Sequence, residues 1–317
     1  MDSRSADPTG VTSGGVDPNG ADLQSLRYLQ GLRGLAPECD ALLLDQWGVL
    51  HDGHHAYPGA VDCLERLREA GKAVVILSNS GKSGEENARL IEAMGFDRGL
   101  FDAVVSAGDD ARDAILSGDD GPYAGSGRRC LLLSRDTDRH LANGLGLEVI
   151  TDPVGGPERA DFILLMSMDA PTQSVAGWEP LLRRAVARRL PLVCANPDLA
   201  RVSRDGRLLE APGLVARRYQ ALGGEVHLHG KPDPRIYRTC LRHLPAGAAR
   251  VVAVGDSLHH DILGANRAGL RSLLVAGGVH REELGCQLGE LPDPARARAL
   301  FERAGAVPGF VAPLFTW

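Results

Sequence analysis

Short apolar runs recur along this chain, and each of them ends in polar or glycine-containing turn residues. The first is Ala41–Leu44, which leads directly into Asp45 and a loop that contains Gly48. Apolar runs of about four to eight residues between turn signals are typical of strands buried on both faces of a parallel sheet. The same pattern predicts further strands at residues 72–77, 103–105, 129–133, 162–166, 191–195, 250–254 and 273–275, and another short run precedes His229.

Apolar residues at three- and four-residue spacing predict helices between several of these strands. The predicted helices span residues 23–35, 58–70, 138–145 and 175–189, with one more after the Ser78 loop. A strand, a helix and a second strand joined by short loops form a βαβ unit, which is right-handed in nearly all proteins. Residues 201–210 instead predict a hairpin, because Asp205-Gly206 is a strong tight-turn signal. The pattern therefore predicts an α/β fold with a doubly wound parallel sheet.

The strand pattern stops and restarts partway along the chain, which indicates two units rather than one. We predict a core domain formed by residues 21–112 and 227–317, and an α/β cap domain inserted at residues 113–226. Residues 1–20 are rich in Gly, Ser, Asp, Pro and Thr, so we predict a disordered N-terminal tail. The last segment, residues 292–317, carries several aromatic side chains and is expected to pack onto the core.

Composition narrows the functional classes. The 317 residues carry a net charge of −6, which argues against a nucleic-acid binder that relies on general attraction to phosphate. No run approaches the roughly 18 apolar residues of a membrane span, and no signal peptide is visible, so we expect neither membrane insertion nor secretion. The six cysteines are scattered without a C-x-x-C pair, which predicts reduced, mostly buried thiols in a cytoplasmic protein.

Chemically useful side chains follow four of the predicted strands. They belong to five motifs or residues: Asp45, Ser78-Asn79-Ser80, Lys231, Asp256 and Asp261. Each of them taken alone fits an ordinary helix cap or loop residue better. Because the carboxyl ends of parallel strands share one edge of the sheet, we expect these residues to lie together. A carboxylate that attacks phosphorus needs a cation between the two anions, and Mg²⁺ suits this set because it prefers oxygen ligands.

These motifs, in this order over residues 38–280, resemble the haloacid dehalogenase (HAD) superfamily, subclass IIA, the group of NagD-like and pyridoxal phosphate phosphatase-like proteins. The resemblance implies a Rossmann-like core with a C2-type cap, and a phosphoric monoester hydrolase that forms a phosphorylated intermediate on Asp45 with help from Lys231. The implied metal is Mg²⁺, and the implied substrate is a small organic phosphate such as a sugar phosphate or nucleotide. The implied metal ligands are Asp45, the backbone carbonyl of Trp47, Asp256 and Asp261. The implied substrate-binding residues are Ser78, Asn79, Ser80, Asn196 and Asp198.

The chain departs from the family pattern at Trp47. The family normally places a second aspartate there, which protonates the leaving oxygen and later activates water. General acid–base help contributes about 10²–10⁴ in rate. Three interpretations follow: the leaving group needs no acid, a neighbour such as His51 or Asp52 replaces it, or the protein turns its ligand over slowly or not at all. The motif resembles a branch of the subclass with the form Asp-x-Trp-Gly-Val-Leu-x-Asp-Gly.

The leading hypothesis is a Mg²⁺-dependent phosphatase, and two alternatives stay open. One is a weakly catalytic or non-catalytic protein that binds a phosphorylated ligand, and the other is phosphoryl transfer to a second acceptor. The expected partner is the small phosphorylated substrate, with no nucleic acid and no membrane. A homodimer is included among the expected assemblies, because cap-mediated dimers occur in the resembled subclass.

Two further groups of polar residues were weighed as sites. The histidines at 51, 54, 55, 259 and 260 match no zinc spacing and are predicted to be polar loop residues. Four arginines in the predicted helix 175–189 would form either a phosphate-binding patch or a solvated face, and the solvated face is the more common outcome for such runs.

Overall fold

The computed structural model describes residue 23 and residues 25–118, 127–202 and 208–317. The predicted disordered tail at residues 1–20 lies outside these described residues.

Within that part of the chain the structure has fourteen strands and ten α-helices. The strands are β1 (Arg27–Tyr28), β2 (Ala41–Leu44), β3 (Ala73–Ser78), β4 (Ala103–Ser106), β5 (Arg129–Leu133), β6 (Glu148–Ile150), β7 (Phe162–Leu165), β8 (Leu192–Cys194), β9 (Ala200–Val202), β10 (Leu208–Glu210), β11 (Val226–Leu228), β12 (Val251–Gly255), β13 (Arg271–Val275) and β14 (Phe310–Ala312). The helices are α1 (Ala60–Glu69), α2 (Gly84–Glu92), α3 (Ala107–Ser117), α4 (Gly156–Arg159), α5 (Val175–Ala187), α6 (Pro212–Ala221), α7 (Pro234–Arg242), α8 (Leu263–Arg267), α9 (Arg281–Leu284) and α10 (Pro294–Ala304).

The larger sheet has seven strands in the order β1-β14-β13-β12-β2-β3-β4, and all of its pairs are parallel. The chain winds from β2 towards β4 on one side and from β12 towards β14 on the other. Leu44 of β2 lies opposite Val254 of β12. The order therefore reverses between β2 and β12, and ligand sites of open parallel sheets lie at such a switch point. Asp45 and Asp256 follow these two strands.

Burial on both faces explains why the central strands contain consecutive apolar residues. In β2, Leu42 and Leu44 pack into the apolar cluster on one face of the sheet. Leu43 belongs to the cluster on the opposite face, together with Val75 of β3. Successive side chains of a strand point to opposite faces, so a strand covered on both sides needs apolar residues at every position. The prediction of a doubly wound α/β core is confirmed.

The smaller sheet has five parallel strands in the order β11-β8-β7-β5-β6. It has its own apolar clusters on both faces. The β9–β10 pair is antiparallel, as expected for the hairpin, although the turn residues Asp205 and Gly206 lie outside the described residues. This second α/β unit is inserted between β4 and β12, in the position predicted for a cap.

The expected return to the core at Val226 was wrong in one respect. Val226 pairs with Leu192 of β8, so β11 is an edge strand of the smaller sheet. The strand that leads to Lys231 is therefore not a strand of the larger sheet. A three-residue apolar run is compatible with either sheet, because only long-range pairing decides which edge it joins.

Two predicted helices were also wrong. Residues 23–35 contain the strand β1 and a 3-10 turn at Leu32–Gly34. Gly31 packs so closely against the chain end that a Cβ there would lie 2.5 Å from the carbonyl oxygen of Trp317. Residues 138–145 form turns, because Gly144 has a positive φ of 74° that interrupts a helix.

The remaining expectations about packing are met. Phe301, Phe310 and Phe315 of the last segment are buried, and β14 extends the larger sheet. All six cysteines are free thiols, and five of them are buried. No helix in the described ranges combines the length and apolar character required to cross a bilayer.

Candidate active site

The loop after β2 places Asp45 beside the loop after β12. Gly48 has a φ of +78°, and a Cβ there would lie 1.9 Å from Oδ2 of Asp256. Both the backbone conformation and the close approach therefore require glycine at position 48. The backbone N–H of Asp45 also donates to the carbonyl of Val254 at 2.9 Å, which extends the β2–β12 pairing by one residue. The two aspartates are thus held next to each other by the sheet itself.

Lys231 joins this pair from the opposite side. Its Nζ lies 2.6 Å from Oδ1 of Asp45 and 2.7 Å from Oδ1 of Asp261, and all three side chains are buried. Burial alone would lower the pKa of Lys231, but the negative charges of Asp261 and Asp45 outweigh it and raise that pKa well above its ordinary value. Lys231 is therefore a charged group at the centre of the site.

Asp261 is held in place by an irregular helical turn. Residues Leu258–Ile262 form a π-helical turn directly before α8, and such turns are frequent at functional sites. The hydroxyl of the buried Tyr237 lies 3.1 Å from the carbonyl oxygen of His260 and 3.0 Å from that of Asp261, and donates to them. Oδ2 of Asp261 accepts the backbone N–H of Ser257 at 3.0 Å. With Oδ1 on Lys231, both of its oxygens have protein donors, which favours the interpretation that Asp261 orients Lys231.

The carboxylates of Asp45, Asp256 and Asp261 offer oxygens that all lie within 4.8 Å of one another. Burial is the main cause that raises the pKa of Asp45 to about 7, with Lys231 opposing the shift and Asp261 adding to it. Burial, followed by the charges of Asp45 and Asp261, also raises the pKa of Asp256 well above its ordinary value. When ionised, three carboxylates face one ammonium, an excess of two negative charges. This donor set fits a divalent cation that prefers oxygen ligands.

The loop after β3 connects the site to the cap. Oδ1 of Asn79 accepts the backbone N–H of Lys231 at 2.7 Å, and Nδ2 of Asn79 donates to Oδ1 of Asp198 at 2.8 Å. Ser78 is buried at the end of β3, and its hydroxyl oxygen accepts the N–H of Ser80 at 3.2 Å. The structure therefore places Ser78, Asn79 and Ser80 on one loop at the same edge of the sheet as Asp45.

Asp198 reaches the centre from the loop after β8 of the smaller sheet. Its Oδ1 lies 3.7 Å from Nε2 of His260, whose Nδ1 is 3.2 Å from the carbonyl oxygen of Lys231. Asn196, in the same loop, accepts the N–H of Asp198 through its side-chain oxygen at 3.1 Å. The carboxyl ends of the strands in the two sheets thus face each other across Asn79 and Asp198.

Trp47 and its neighbours form a compact turn. The Trp47 ring covers Gly53, where a Cβ would lie 2.1 Å from the ring, and its centroid is 5.3 Å from that of His51. Trp47 remains 42% exposed. Burial lowers the pKa of His51 to about 4, and its Nδ1 accepts the N–H of Gly53 at 3.0 Å. His51 is therefore neutral near pH 7 and does not supply the proton that an aspartate at position 47 would donate.

Asp52, the other suggested substitute, has a structural role in this turn. Its Oδ1 accepts the backbone N–H groups of His54 at 2.8 Å and His55 at 2.7 Å. Burial acts to raise the pKa of Asp52, but these hydrogen bonds outweigh it and hold the pKa below its ordinary range. An ionised carboxylate engaged in this way is a poor general acid.

Two arginines of the cap were missed in the sequence. Arg135 and Arg201 line a solvent-open cavity of about 60 Å³ whose wall also contains Asn196 and Asp198. Arg135 follows β5, so the carboxyl-end rule applied to the smaller sheet would have marked it, whereas Arg201 lies on β9 and carries no such signal. The arginines that were considered lie elsewhere: Arg183 of α5, for example, is exposed and pairs with Glu179 at 2.7 Å.

Two protein families match parts of this chain. Residues 42–148 match a family described as haloacid dehalogenase-like hydrolase, and residues 228–297 match a second family of HAD-type hydrolases. Human chronophin is 30% identical over 264 residues, which cover 80% of this chain and 86% of chronophin.

Solved structures agree with the fold. A haloacid dehalogenase-like hydrolase from Brucella suis superposes with a TM-score of 0.74 at 27% identity, and the match covers 90% of this chain and 99% of that one. Glycerol phosphate phosphatase from Mycobacterium tuberculosis, solved in complex with magnesium, has a TM-score of 0.58 at 26% identity, with 83% and 77% of the two chains covered.

Proposed function

This chain belongs to the haloacid dehalogenase superfamily, subclass IIA, and we propose that it is a Mg²⁺-dependent phosphatase that acts on a small organic phosphate through a phosphorylated Asp45. The observation that carries the proposal is the buried cluster of Asp45, Asp256 and Asp261 around the Lys231 ammonium. A relative supports it: the superposed M. tuberculosis protein is a glycerol phosphate phosphatase solved with magnesium.

Asp45 is the proposed nucleophile. Its Oδ1 is held by Lys231, while its Oδ2 has no protein hydrogen-bond donor among the described residues. A carboxylate oxygen that is positioned but not engaged is suited to attack phosphorus. Asp45, Asp256 and the Trp47 carbonyl would hold Mg²⁺, which when bound supplies positive charge that offsets the repulsion between the attacking carboxylate and the phosphate.

The other groups of the site bind and orient. Lys231 would donate to a phosphate oxygen as a compact charge, and Asp261 would keep its ammonium directed at Asp45. Ser78 accepts the N–H of Ser80, so its own hydroxyl proton is left to donate to a phosphate oxygen. Asn79 holds the Lys231 backbone and Asp198 together, which links phosphate binding to the cap. Asn196 and Asp198 would contact the leaving group.

The proposal includes two further expectations about the protein. Six unpaired thiols are consistent with a cytoplasmic location. The second expectation is a homodimer formed through the cap, which light scattering on the purified chain would detect.

A phosphatase panel with Mg²⁺ tests the nucleophile. Asp45→Asn is expected to lower kcat by at least about 10³-fold, because an amide does not form the phosphorylated intermediate. The matched control is Asp62→Asn, which changes an exposed carboxylate on α1 that pairs only with Arg66. Turnover that survives Asp45→Asn would exclude the proposed mechanism.

Replacing Trp47 tests whether a general acid at this position is what the site lacks. Trp47→Asp is expected to raise kcat on an alkyl phosphate by about 10²-fold or more, because a carboxyl at this position can protonate a poor leaving group. Hydrolysis of p-nitrophenyl phosphate, whose leaving group needs little protonation, should change far less. Trp47→Asn is the control for removal of the ring, and an equal gain in that variant would contradict the interpretation.

The rival function is binding of a phosphorylated ligand without turnover. It is favoured by the lack of an available acid at Trp47, His51 and Asp52. Thermal stabilisation by phosphate esters in the presence of Mg²⁺, with no phosphate released from any member of the panel, would support this alternative.

A further inference from the structure

The cap contains a second polar site next to the catalytic centre. The cavity, of about 60 Å³, opens to solvent, and it is lined by Arg135, Ser167, Met168, Asn196, Asp198, Arg201, Ala211 and Pro212. Most of its polar wall comes from residues that follow β5, β7 and β8, the parallel strands at the centre of the smaller sheet. This is the edge at which open parallel sheets bind ligands. The larger sheet uses the same edge for Asp45 and Asp256.

The two arginines of the cavity have hydrogen-bond donors to spare. Nε of Arg201 is buried without a hydrogen-bond partner among the described residues, and its Nη2 donates to the carbonyl of Ala170 at a long 3.3 Å. Arg135 donates to the carbonyl of Met168 at 3.3 Å, and its Nε is 3.8 Å from a half-exposed Asp169. A buried donor without a partner is unfavourable and is rare in native structures. The geometry therefore indicates that a ligand completes these bonds.

The cavity is connected to the catalytic centre through one residue. Asp198 forms part of its wall and accepts the amide of Asn79, which in turn accepts the N–H of Lys231. A substrate whose phosphate lies at Asp45 and Lys231 would extend its leaving group past Asp198. The negative charge of Asp198 disfavours an anion close to the centre, so an anionic group would lie beyond it, on the side of Arg135 and Arg201.

We propose that Arg135 and Arg201 bind a second anionic group of the substrate, so that the substrate is a small phosphate ester whose leaving group carries a carboxylate or a second phosphate. This inference rests on the proposed function. The planar guanidinium presents paired donors that match both kinds of anion. The cavity itself encloses only about 60 Å³, so we expect a short leaving group that places a single charged group there.

Binding without turnover provides the test. The Asp45→Asn variant with Mg²⁺ is titrated by calorimetry with three probes that share a three-carbon skeleton: glycerol 3-phosphate, 3-phosphoglycerate and glycerol 1,3-bisphosphate. 3-Phosphoglycerate, glycerol 1,3-bisphosphate or both, which carry a second anionic group, should bind about 10-fold or more tightly than glycerol 3-phosphate, as expected for a charged hydrogen-bonded pair. The better of the two identifies the anion as carboxylate or phosphate.

Substitution at the cavity locates the effect. Arg201→Met should remove the preference for the probe with a second anionic group. Glycerol 3-phosphate should bind within about twofold of its former affinity. Arg183→Met removes an exposed arginine elsewhere in the cap and should leave the preference unchanged. Arg135→Met is the second variant, and it decides the result if Arg201→Met does not fold.

Each outcome is decisive. Equal binding of the three probes, binding of none, or an equal loss for all probes in both cavity variants would overturn the inference. A catalytically inactive wild type that still prefers the anionic probe would contradict the proposed phosphatase but support the cavity, so the two failures are distinguishable.

Discussion

The catalytic centre and the cap cavity occupy equivalent positions, each at the carboxyl edge of a parallel sheet, yet their charges are arranged differently. In the centre, Lys231 has two carboxylate partners at 2.6 and 2.7 Å, and all three groups are buried. In the cavity, the buried Nε of Arg201 has no hydrogen-bond partner in the part of the chain that the structure describes. The centre is thus assembled by protein groups before a ligand arrives, whereas the cavity needs a ligand to complete it. This difference is expected if the centre performs the reaction common to the family and the cavity recognises the substrate of this particular protein.

Replacing the cationic side chain of each region should give the largest difference between the two in the free energy of unfolding. Lys231→Met is expected to lower the free energy of unfolding by about 3–5 kcal/mol, because it leaves buried carboxylates without their partner. Arg201→Met should change it by less than about 1 kcal/mol, since the hydrogen bond to the Ala170 carbonyl that it removes is long and weak. Urea unfolding at pH 7.5 measures both, and similar losses in the two variants would contradict the comparison.

Divalent cation should stabilise the centre and not the cavity. Mg²⁺ at about 100 times its Kd would add about 2.7 kcal/mol to the free energy of unfolding. The pKa of Asp45 is raised to about 7, so below that pH this carboxyl carries a proton that must leave before it ligates a cation. Stabilisation by Mg²⁺ should therefore grow as the pH rises from 6 to 8.

Thermal melts at several pH values with Mg²⁺ and with chelator measure this dependence. Asp256→Asn is expected to reduce it, and Arg201→Met to leave it intact. A Mg²⁺ effect that is independent of pH, or that Arg201→Met abolishes, would place the cation elsewhere.

His51 should make a separate contribution to pH dependence beside the centre, in the same direction as the Mg²⁺ effect but at lower pH. Burial lowers its pKa to about 4, whereas the unfolded chain has the ordinary value of about 6.5. Between these values the unfolded state binds a proton that the folded state does not, so stability falls as the pH falls. The full loss is on the order of 3 kcal/mol.

Urea unfolding between pH 7 and pH 4 checks this sign. His51→Gln should remove that part of the slope, while His54→Gln, an exposed histidine in the same turn, should keep it. Equal slopes in the two variants would show that His51 is not the group that titrates.

Much of this organisation could be predicted from the sequence. Asp45 and Asp256 each follow a short apolar run, and the rule that strand carboxyl ends share one edge of a parallel sheet predicts that they lie together. Lys231 is positioned differently, because β11, the strand before it, belongs to the smaller sheet. The hydrogen bond from the Lys231 N–H to Asn79 holds this loop at the catalytic centre. Arg201 could not be found, since an arginine on a short hairpin strand is usually exposed. The roles of these residues remain predictions.

Local patterns were sufficient for whatever depends on neighbours in the chain: strands with apolar residues at every position, the glycine turn after Asp45, and the acidic and basic residues at strand ends. Tertiary packing alone decided which sheet β11 joins and that Arg135 and Arg201 share a cavity. The reason is physical. Burial and hydrogen bonding of a side chain depend on groups brought together from distant parts of the chain, and a short segment carries no record of those groups.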